Sequence, residues 1–281
     1  MKKSPITGPP DPLFKHAAGT AQKTRYETTK RLPIVVALPV TSERIASGAL
    51  DRDIKIVGSS AAESVELRLD YMNNVEFVNV GALVRSCENA NVQAICTCRI
   101  KIEGGNYVPK SHADHEHILK KIIGANPAYV DVELSNDPSL INAILDVCSE
   151  NSNGTILSYH DFKGSPSLDN IPKFVQSFKA KLNNIHIHQD DSVILKLVFT
   201  ARTPADNVVP LKIIDLLSDE GFDVVSFCMG IEGMVSRVTS VIPRHSRMFT
   251  GAFTYASLEQ ATAPGQIDLT SMISLLEPFF K

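Results

Sequence analysis

Short runs of apolar residues alternate along the chain with stretches in which apolar residues recur at helical spacing. A short continuous apolar run is typical of a strand buried on both faces, whereas helical spacing indicates an amphipathic helix that covers a sheet. Eight runs predict strands, at Ile34–Val40, Ser64–Leu69, Gln93–Arg99, Tyr129–Leu134, Thr155–His160, Val193–Phe199, Val224–Met229 and Met248–Phe253. Helices are predicted between them, for instance at Asp114–Ile123, Pro138–Glu150, Leu168–Leu182 and Pro204–Leu217.

This alternation predicts repeated βα units around a parallel sheet. Eight units in about 250 residues have the size of a (β/α)8 TIM barrel. A doubly wound open sheet is the alternative, but it would usually carry a glycine-rich phosphate loop after its first strand. The chain has Pro39-Val-Thr-Ser-Glu43 there and contains no G-x-G-x-x-G motif. We therefore predict an α/β fold in which residues 31–281 form one barrel domain.

Composition narrows the class of partner. The formal net charge is −3 and no basic stripe recurs, which argues against nucleic acid or a membrane surface as a partner. No apolar run reaches the roughly 18 residues that a membrane span needs. Residues 1–30 are rich in Pro, Thr and Lys without an apolar signal region, so we expect a flexible tail rather than a signal peptide. A cytoplasmic protein that acts on a small molecule is the expectation.

The five cysteines fall mostly inside apolar stretches, without Cys-x-x-Cys spacing. We read them as buried free thiols in a reducing compartment. Cys96 and Cys98 share one face of a predicted strand, but a metal ion would need two more ligands than they provide. We therefore expect no metal site.

Lys196 lies inside the apolar run Val193–Phe199. Desolvation without a compensating carboxylate lowers the pKa of a lysine toward neutrality, and a neutral amine is a nucleophile. The alternative is a lysine that extends to solvent from a strand end or meets a buried acid. The other polar residues on the strands decide between these interpretations.

Titratable residues on five predicted strands converge on one rim. Active sites of barrels collect at the carboxyl ends of the strands. The residues concerned are Glu66, Arg68, Arg99, Asp131, Glu133, His160 and Lys196. If the fifth and sixth strands are neighbours, His160 and Lys196 approach within a few ångströms, and a base beside an amine suits carbonyl chemistry. A hydrogen-bonded core histidine is the alternative for His160 alone.

Two loops add polar groups at the same rim. Arg237 follows the seventh strand in the first turns of a helix, where it can clamp a carboxylate or phosphate, although a surface arginine is the simpler interpretation. The segment Ala261–Ile267 contains Thr262, Gln266 and a Pro-Gly turn. It can serve as a lid or as a plain connecting turn.

The chain resembles type I 3-dehydroquinate dehydratase, a Schiff-base enzyme of the shikimate pathway, over about Pro33 to Lys281. The motifs are Glu66-Leu-Arg-Leu-Asp70, Thr97-Cys-Arg99 with Glu103-Gly-Gly105, Asp131-Val-Glu-Leu134, Ser158-Tyr-His-Asp-Phe162, the Lys196 strand, Met229 through Arg237, and Ala263-Pro-Gly-Gln266. Seven motifs in the family's order are more specific than any one. The resemblance implies a hydro-lyase that needs no metal and no organic cofactor.

The resemblance also implies roles for individual residues. Lys196 would form an imine with the substrate ketone, and His160, oriented by Glu103, would be the general base and acid. Arg237 would hold the substrate carboxylate. The substrate hydroxyls would contact Glu66, Arg68, Arg99 and Gln266, with Thr262 in the lid, while Met229 and Tyr255 would line the pocket.

Two positions depart from the family pattern, and two other functions stay open. Thr262 replaces a serine and its extra methyl group would tighten the lid, while Tyr159 replaces an asparagine and should point outward if His160 points inward.

A class I aldolase also uses a barrel lysine, and a metabolite sensor would keep the barrel without turnover. Whether the chain forms a homodimer, and whether it serves biosynthesis or quinate catabolism, also stays open.

Overall fold

The structure, a computed structural model, describes residues 31–188, 190–242, 252–259 and 261–280. The strands are β1 Leu32–Pro39, β2 Ala62–Arg68, β3 Gln93–Thr97, β4 Tyr129–Glu133, β5 Gly154–Asp161, β6 Val193–Thr200, β7 Asp223–Met229, β8 Thr254–Ser257 and β9 Ile267–Asp268. The helices are α1 Ser42–Ala46, α2 Ala49–Gly58, α3 Val80–Asn89, α4 His112–Ile123, α5 Pro138–Asn151, α6 Ile171–Leu182, α7 Val208–Ser218, α8 Met234–Thr239 and α9 Leu269–Leu276. Among these helices none is both long and apolar enough to cross a membrane.

The strands form one parallel sheet in the order β7-β6-β5-β4-β3-β2-β1-β8-β9. The ladders follow chain order from β1 to β7, and β8 pairs with the other edge of β1. The sheet curls so that β7 comes back beside β8, where the backbone N–H of Ala252 donates a 2.8 Å hydrogen bond to the Val224 carbonyl. The predicted TIM-barrel architecture of parallel strands and covering helices is confirmed.

Two layers of side chains fill the fold because each strand sends alternate residues to opposite faces. The outer layer, between sheet and helices, is almost entirely aliphatic and contains buried residues such as Leu67, Leu195 and Ile213. The inner layer, inside the barrel, is smaller and includes Val198 and Tyr255. The inner faces of the strands also carry the buried charges, so the polar chemistry of the chain collects inside the barrel.

Two predicted helices begin later than the hydrophobic pattern indicates. The α-helices begin at Ile171 and Val208, each after a short 3-10 segment, Leu168–Asn170 and Pro204–Asn207. A helix running from Leu168 would need a backbone N–H at Pro172, and one running from Pro204 would need one at Pro210. The observed starts place both prolines in the first turn, where no N–H is required.

Of the predicted eighth strand, Met248–Phe253, only residues 252 and 253 are described, and neither lies in a strand. Residues 248–251 lie outside the described residues, and the observed strand β8 begins at Thr254, just after the end of the predicted run. The pairing of Val35 with Tyr255 fixes the position of this strand beside β1. Its first and last residues, Thr254 and Ser257, are both buried although each carries a hydroxyl group. A search for apolar runs misses such a strand because ladder pairing with β1 decides it. The predicted flexible tail, residues 1–30, also lies outside the described residues.

Candidate active site

A cavity with about 390 Å³ of empty space opens inside the barrel, at the carboxyl ends of the strands. Every substrate-binding residue predicted from the sequence lines it, together with Lys196 and His160. The lining residues are Glu66, Arg68, Arg99, His160, Lys196, Val198, Phe227, Met229, Arg237, Tyr255, Thr262, Ala263 and Gln266. Glu103 is absent from this wall and lies behind His160. The volume suits a small organic molecule.

Lys196 is buried in the middle of β6, directly between Ser158 of β5 and Val225 of β7 in the ladder. Its Nζ donates to Asp131 Oδ2 at 2.7 Å and to the Tyr255 hydroxyl at 3.1 Å, and it lies 3.7 Å from Glu66 Oε1. Of the two interpretations left open for Lys196, the structure shows the one in which the lysine meets a buried acid.

Asp131 links Lys196 to a buried polar network, although the sequence analysis placed this aspartate on the rim without giving it a role. Its Oδ2 also accepts from Arg99 at 2.7 Å, and its Oδ1 accepts from the Ser158 hydroxyl at 2.6 Å. Burial alone would raise the pKa of Asp131, but Arg99 and Lys196 hold it well below its usual range. Glu133 completes the network by accepting from Arg99 at 2.9 Å. In the sequence, Asp131 and Glu133 stand two residues apart, which places both on the same face of β4 and indicates a shared polar environment.

His160 lies two residues beyond the position opposite Lys196 on β5, and Glu103 supports it. His160 Nδ1 and Glu103 Oε2 are 3.0 Å apart. Burial, with the nearby charges of Arg99 and Lys196, lowers the pKa of His160 well below its usual value. Burial also raises the pKa of Glu103, to about 7. A neutral imidazole held in one orientation is therefore available as a base near neutral pH.

The short segment that carries Glu103 depends on the glycine that follows it. Gly104 has φ +79°, a left-handed conformation that favours glycine. A Cβ there would also lie 2.3 Å from the Phe162 ring, which stacks beside His160. Gly104 therefore lets the segment pass close to Phe162 while Glu103 holds His160 through its Nδ1.

Glu66 and Arg68 point inward from β2, as their alternation predicted. Glu66 Oε1 accepts a 2.6 Å hydrogen bond from the Thr97 hydroxyl. Arg68 forms two hydrogen bonds with Asp70, at 2.8 and 3.0 Å, and its guanidinium lies 5.3 Å from the centre of the Tyr71 ring. These partners hold both side chains at the cavity without using all their hydrogen-bonding groups.

Arg237 is a buried cation that faces the cavity from α8. Its guanidinium lies 4.6 Å from the centre of the Phe227 ring, and one NH2 group donates to the Pro264 carbonyl at 3.0 Å. Among the described residues its Nε has no hydrogen-bond partner, and no carboxylate there forms an ion pair with the guanidinium. Burial lowers the pKa of this guanidinium to about 10. Since a buried unpaired charge is costly, the site fits an anionic ligand.

The loop before β9 covers one side of the cavity. Gln266 closes it locally, because its Oε1 accepts from the Thr262 backbone at 2.7 Å and its Nε2 donates to the Thr262 hydroxyl at 3.2 Å. Gly265, with φ +72°, lies so close to Gly230 that a Cβ would meet the Gly230 carbonyl at 2.2 Å. Thr262 and Gln266 therefore reach the cavity from a turn that packs directly on the loop after β7.

A methionine and two aromatic residues form the remaining wall of the cavity. Met229 and Phe227 project inward from β7, and the Tyr255 ring packs edge-on against Phe227 at 5.8 Å.

Tyr159 points the other way and contacts Phe174 and Phe199 between sheet and helices, as predicted. All five cysteines are free and buried, also as predicted.

Comparison with curated proteins found relatives across most of the chain. The 3-dehydroquinate dehydratase of Desulfotalea psychrophila is 30% identical over 228 residues, which cover 80% of this chain and 89% of that protein. The enzyme of the same name from Methanococcus maripaludis is 29% identical over 237 residues, covering 81% and 96%.

Solved structures and a family sequence model agree with these relatives. The 3-dehydroquinate dehydratase of Geobacillus kaustophilus matches with a TM-score of 0.70 at 23% identity, covering 88% of this chain and 90% of that one. The type I enzyme of Clostridium difficile, crystallised with covalently modified comenic acid, matches with a TM-score of 0.68 at 20% identity, covering 90% and 93%. At these identities the likeness shows the fold. The sequence model described as Type I 3-dehydroquinase matches residues 36–280, so the chain belongs to the type I 3-dehydroquinase family.

Proposed function

We propose that this protein eliminates water from 3-dehydroquinate to give 3-dehydroshikimate through an imine on Lys196. The observation that carries the proposal is the presence, in one cavity, of a lysine amine, a neutral histidine and a buried arginine that has no carboxylate partner among the described residues. The substrate has a ketone for the first group, an acidic methylene for the second and a carboxylate for the third. Membership of the family supports elimination over the aldol cleavage that a class I aldolase would perform.

Lys196 begins the reaction by attacking the ketone carbon. The carbon–nitrogen bond forms, the former carbonyl oxygen leaves as water, and a protonated imine remains. The Asp131 carboxylate, 2.7 Å from Nζ, would stabilise the positive charge of this imine. The iminium withdraws electrons from the neighbouring methylene group and makes its hydrogens acidic.

His160 then moves the proton. Its neutral imidazole removes a proton from the methylene group, and the electron pair left behind forms an enamine. The β-hydroxyl departs as water with a proton returned by the same imidazole. Hydrolysis of the remaining imine releases the conjugated enone and restores Lys196. Glu103 supports both stages because its hydrogen bond to Nδ1 fixes the orientation of the ring and stabilises the imidazolium.

The remaining residues of the cavity would recognise the substrate. Arg237 would pair with the carboxylate, since it is the buried cation there that lacks a carboxylate partner among the described residues. Glu66, Arg68, Arg99 and Gln266 would contact the ring hydroxyls. Gln266 would exchange a hydrogen bond to Thr262 for one to the substrate, and this exchange couples binding to the lid loop.

Borohydride in the presence of 3-dehydroquinate should attach one substrate-derived group to Lys196. Reduction converts the imine to a stable amine, which adds mass to the intact chain and to one peptide. Mass spectrometry of the intact protein and of its peptides makes the measurement, and the near-ultraviolet absorbance of the enone reports turnover in parallel. An unmodified chain, or an adduct on the exposed Lys101 or Lys163, would remove Lys196 from the mechanism.

Arg237→Ala should mainly weaken substrate binding. A charge-assisted pair in a desolvated site contributes about 2–4 kcal/mol, which corresponds to a rise in KM of roughly 30- to 1000-fold. Steady-state kinetics measure KM and kcat separately. Arg202→Ala, at an exposed arginine outside the cavity lining, is the matched control and should change neither. An Arg237→Ala enzyme with unchanged KM would show that another group holds the carboxylate.

Three further expectations concern the chain as a whole. We infer a cytoplasmic location, which the buried free thiols support because oxidising compartments favour disulfides. A homodimer stays a prediction that size-exclusion chromatography with light scattering can test. The division into a tail at residues 1–30 and one barrel domain at residues 31–281 also stays a prediction, to be tested by limited proteolysis.

A further inference from the structure

The Tyr255 hydroxyl is a second polar group, besides the Asp131 carboxylate, within hydrogen-bond distance of Lys196 Nζ. Its hydroxyl oxygen is 3.1 Å from Lys196 Nζ, although the sequence reasoning gave this residue only a place in the pocket wall. The ring is almost fully buried, and it packs edge-on against Phe227 at 5.8 Å and Phe253 at 5.7 Å. Since these contacts hold the ring, the hydroxyl occupies a defined position beside the reacting nitrogen.

Imine formation requires hydrogens to move from nitrogen to oxygen. A protonated lysine carries three hydrogens on Nζ and has no free electron pair, so one hydrogen must move to the ketone oxygen as the carbon–nitrogen bond forms, and a second as water leaves. The iminium retains one of them, and the other two leave with the former carbonyl oxygen as water, so charge and atoms balance without an outside acid. A group that contacts both nitrogen and oxygen can carry a hydrogen between them. Tyr255 contacts the nitrogen and also lines the cavity that receives the ketone.

The two carboxylates near Nζ are poorly suited to this transfer. Asp131 is a weak base because Arg99 and Lys196 hold its pKa well below the usual range, although burial alone would raise it. Glu66 Oε1 lies farther away, at 3.7 Å, and already accepts the Thr97 hydroxyl. Both groups stabilise a positive nitrogen and would keep its hydrogens in place.

The tyrosine hydroxyl, unlike these carboxylates, can pass a hydrogen on. Burial, together with Glu66 and Asp131, raises the pKa of Tyr255 well above its usual value, so the group stays neutral. A neutral hydroxyl can accept a hydrogen from nitrogen while it donates its own to a neighbouring oxygen. It ends the step unchanged, and no buried phenolate forms.

We propose that the Tyr255 hydroxyl relays hydrogen from Lys196 Nζ to the ketone oxygen as the imine forms, and in reverse as the imine is hydrolysed. This makes Tyr255 a catalytic residue, because it touches the reacting nitrogen. The inference rests on the proposed imine at Lys196. His160 keeps its separate task at the methylene group.

Tyr255→Phe removes the hydroxyl oxygen and keeps the aromatic ring in its packing. The variant is made in a His160→Ala background, where the imine should form but not proceed, so that the rate of borohydride trapping reports imine formation alone. We expect that rate, at saturating 3-dehydroquinate, to fall roughly 10²-fold, the lower end of the scale for a positioned proton-transfer group. Substrate affinity and the melting temperature should change little.

Tyr129→Phe in the same background is the matched control. Tyr129 begins β4 at the opposite end of the barrel, packs against the same inner layer and loses the same hydroxyl group. Its trapping rate should stay within about twofold of the parent. Trapping at the parental rate in Tyr255→Phe would overturn the relay, and so would a slowing matched by weaker binding and a lower melting temperature. Failure of the unmutated protein to form any adduct would instead overturn the imine on Lys196.

Discussion

Lys196→Ala is expected to abolish turnover and to leave no substrate adduct after borohydride treatment. The amine is the group that turns the ketone into an electron-withdrawing iminium, and the described part of the cavity lining contains no second lysine. Removal of a covalent nucleophile costs about 10⁶-fold in kcat. The enone absorbance of the product measures turnover, and intact mass measures adduct formation.

Folding of this variant needs a control because Lys196 is part of a buried charge network. Asp131 would keep its hydrogen bonds to Arg99 and Ser158, so the carboxylate would not be left unpaired. Lys196→Met fills the space of the aliphatic stem without an amine and should be equally inactive. Lys163→Ala, at an exposed lysine near the barrel mouth, should retain parental activity. Turnover by a folded Lys196→Met protein would exclude the imine mechanism.

His160→Ala should lower kcat by about 10³–10⁴-fold while the imine still forms. The imidazole serves two proton transfers, removal from the methylene group and return to the departing hydroxyl, so its loss should lie near the upper end for one acid–base group. Lys196 and Asp131 are untouched, and borohydride should therefore still label the chain. The two variants separate the roles of these residues. His160→Ala should lose turnover but keep the adduct, whereas Lys196→Ala should lose both.

The exposed histidine His186 offers a matched control for this variant. His186→Ala should leave both turnover and labelling unchanged, since its ring lies outside the cavity lining. Near-full turnover by His160→Ala would show that another group is the base. Glu66 would then be tested next, because it lines the cavity within 3.7 Å of Lys196 Nζ.

Most of the fold and of the residue set in the cavity could be predicted from the sequence. The burial of β6 on both faces followed from the run Val193–Phe199, since only a covered strand carries apolar side chains on both faces. The inward direction of Glu66 and Arg68 followed from the alternation of side chains. Even the late start of α7 at Val208 was readable in principle, because Pro210 limits helix formation locally.

The pairing of groups inside the barrel was decided by the tertiary structure. Asp131 lies 65 residues from Lys196 along the chain, and Tyr255 lies 59 residues from it, yet both contact its Nζ. Such contacts depend on the register of parallel ladders and on the approach of β8 to β7, which no local pattern specifies. The position of β8 itself depended on its pairing with β1. The sequence therefore determined which side chains face the cavity, and barrel closure decided which of them meet, because hydrophobic period is local whereas register and closure are not.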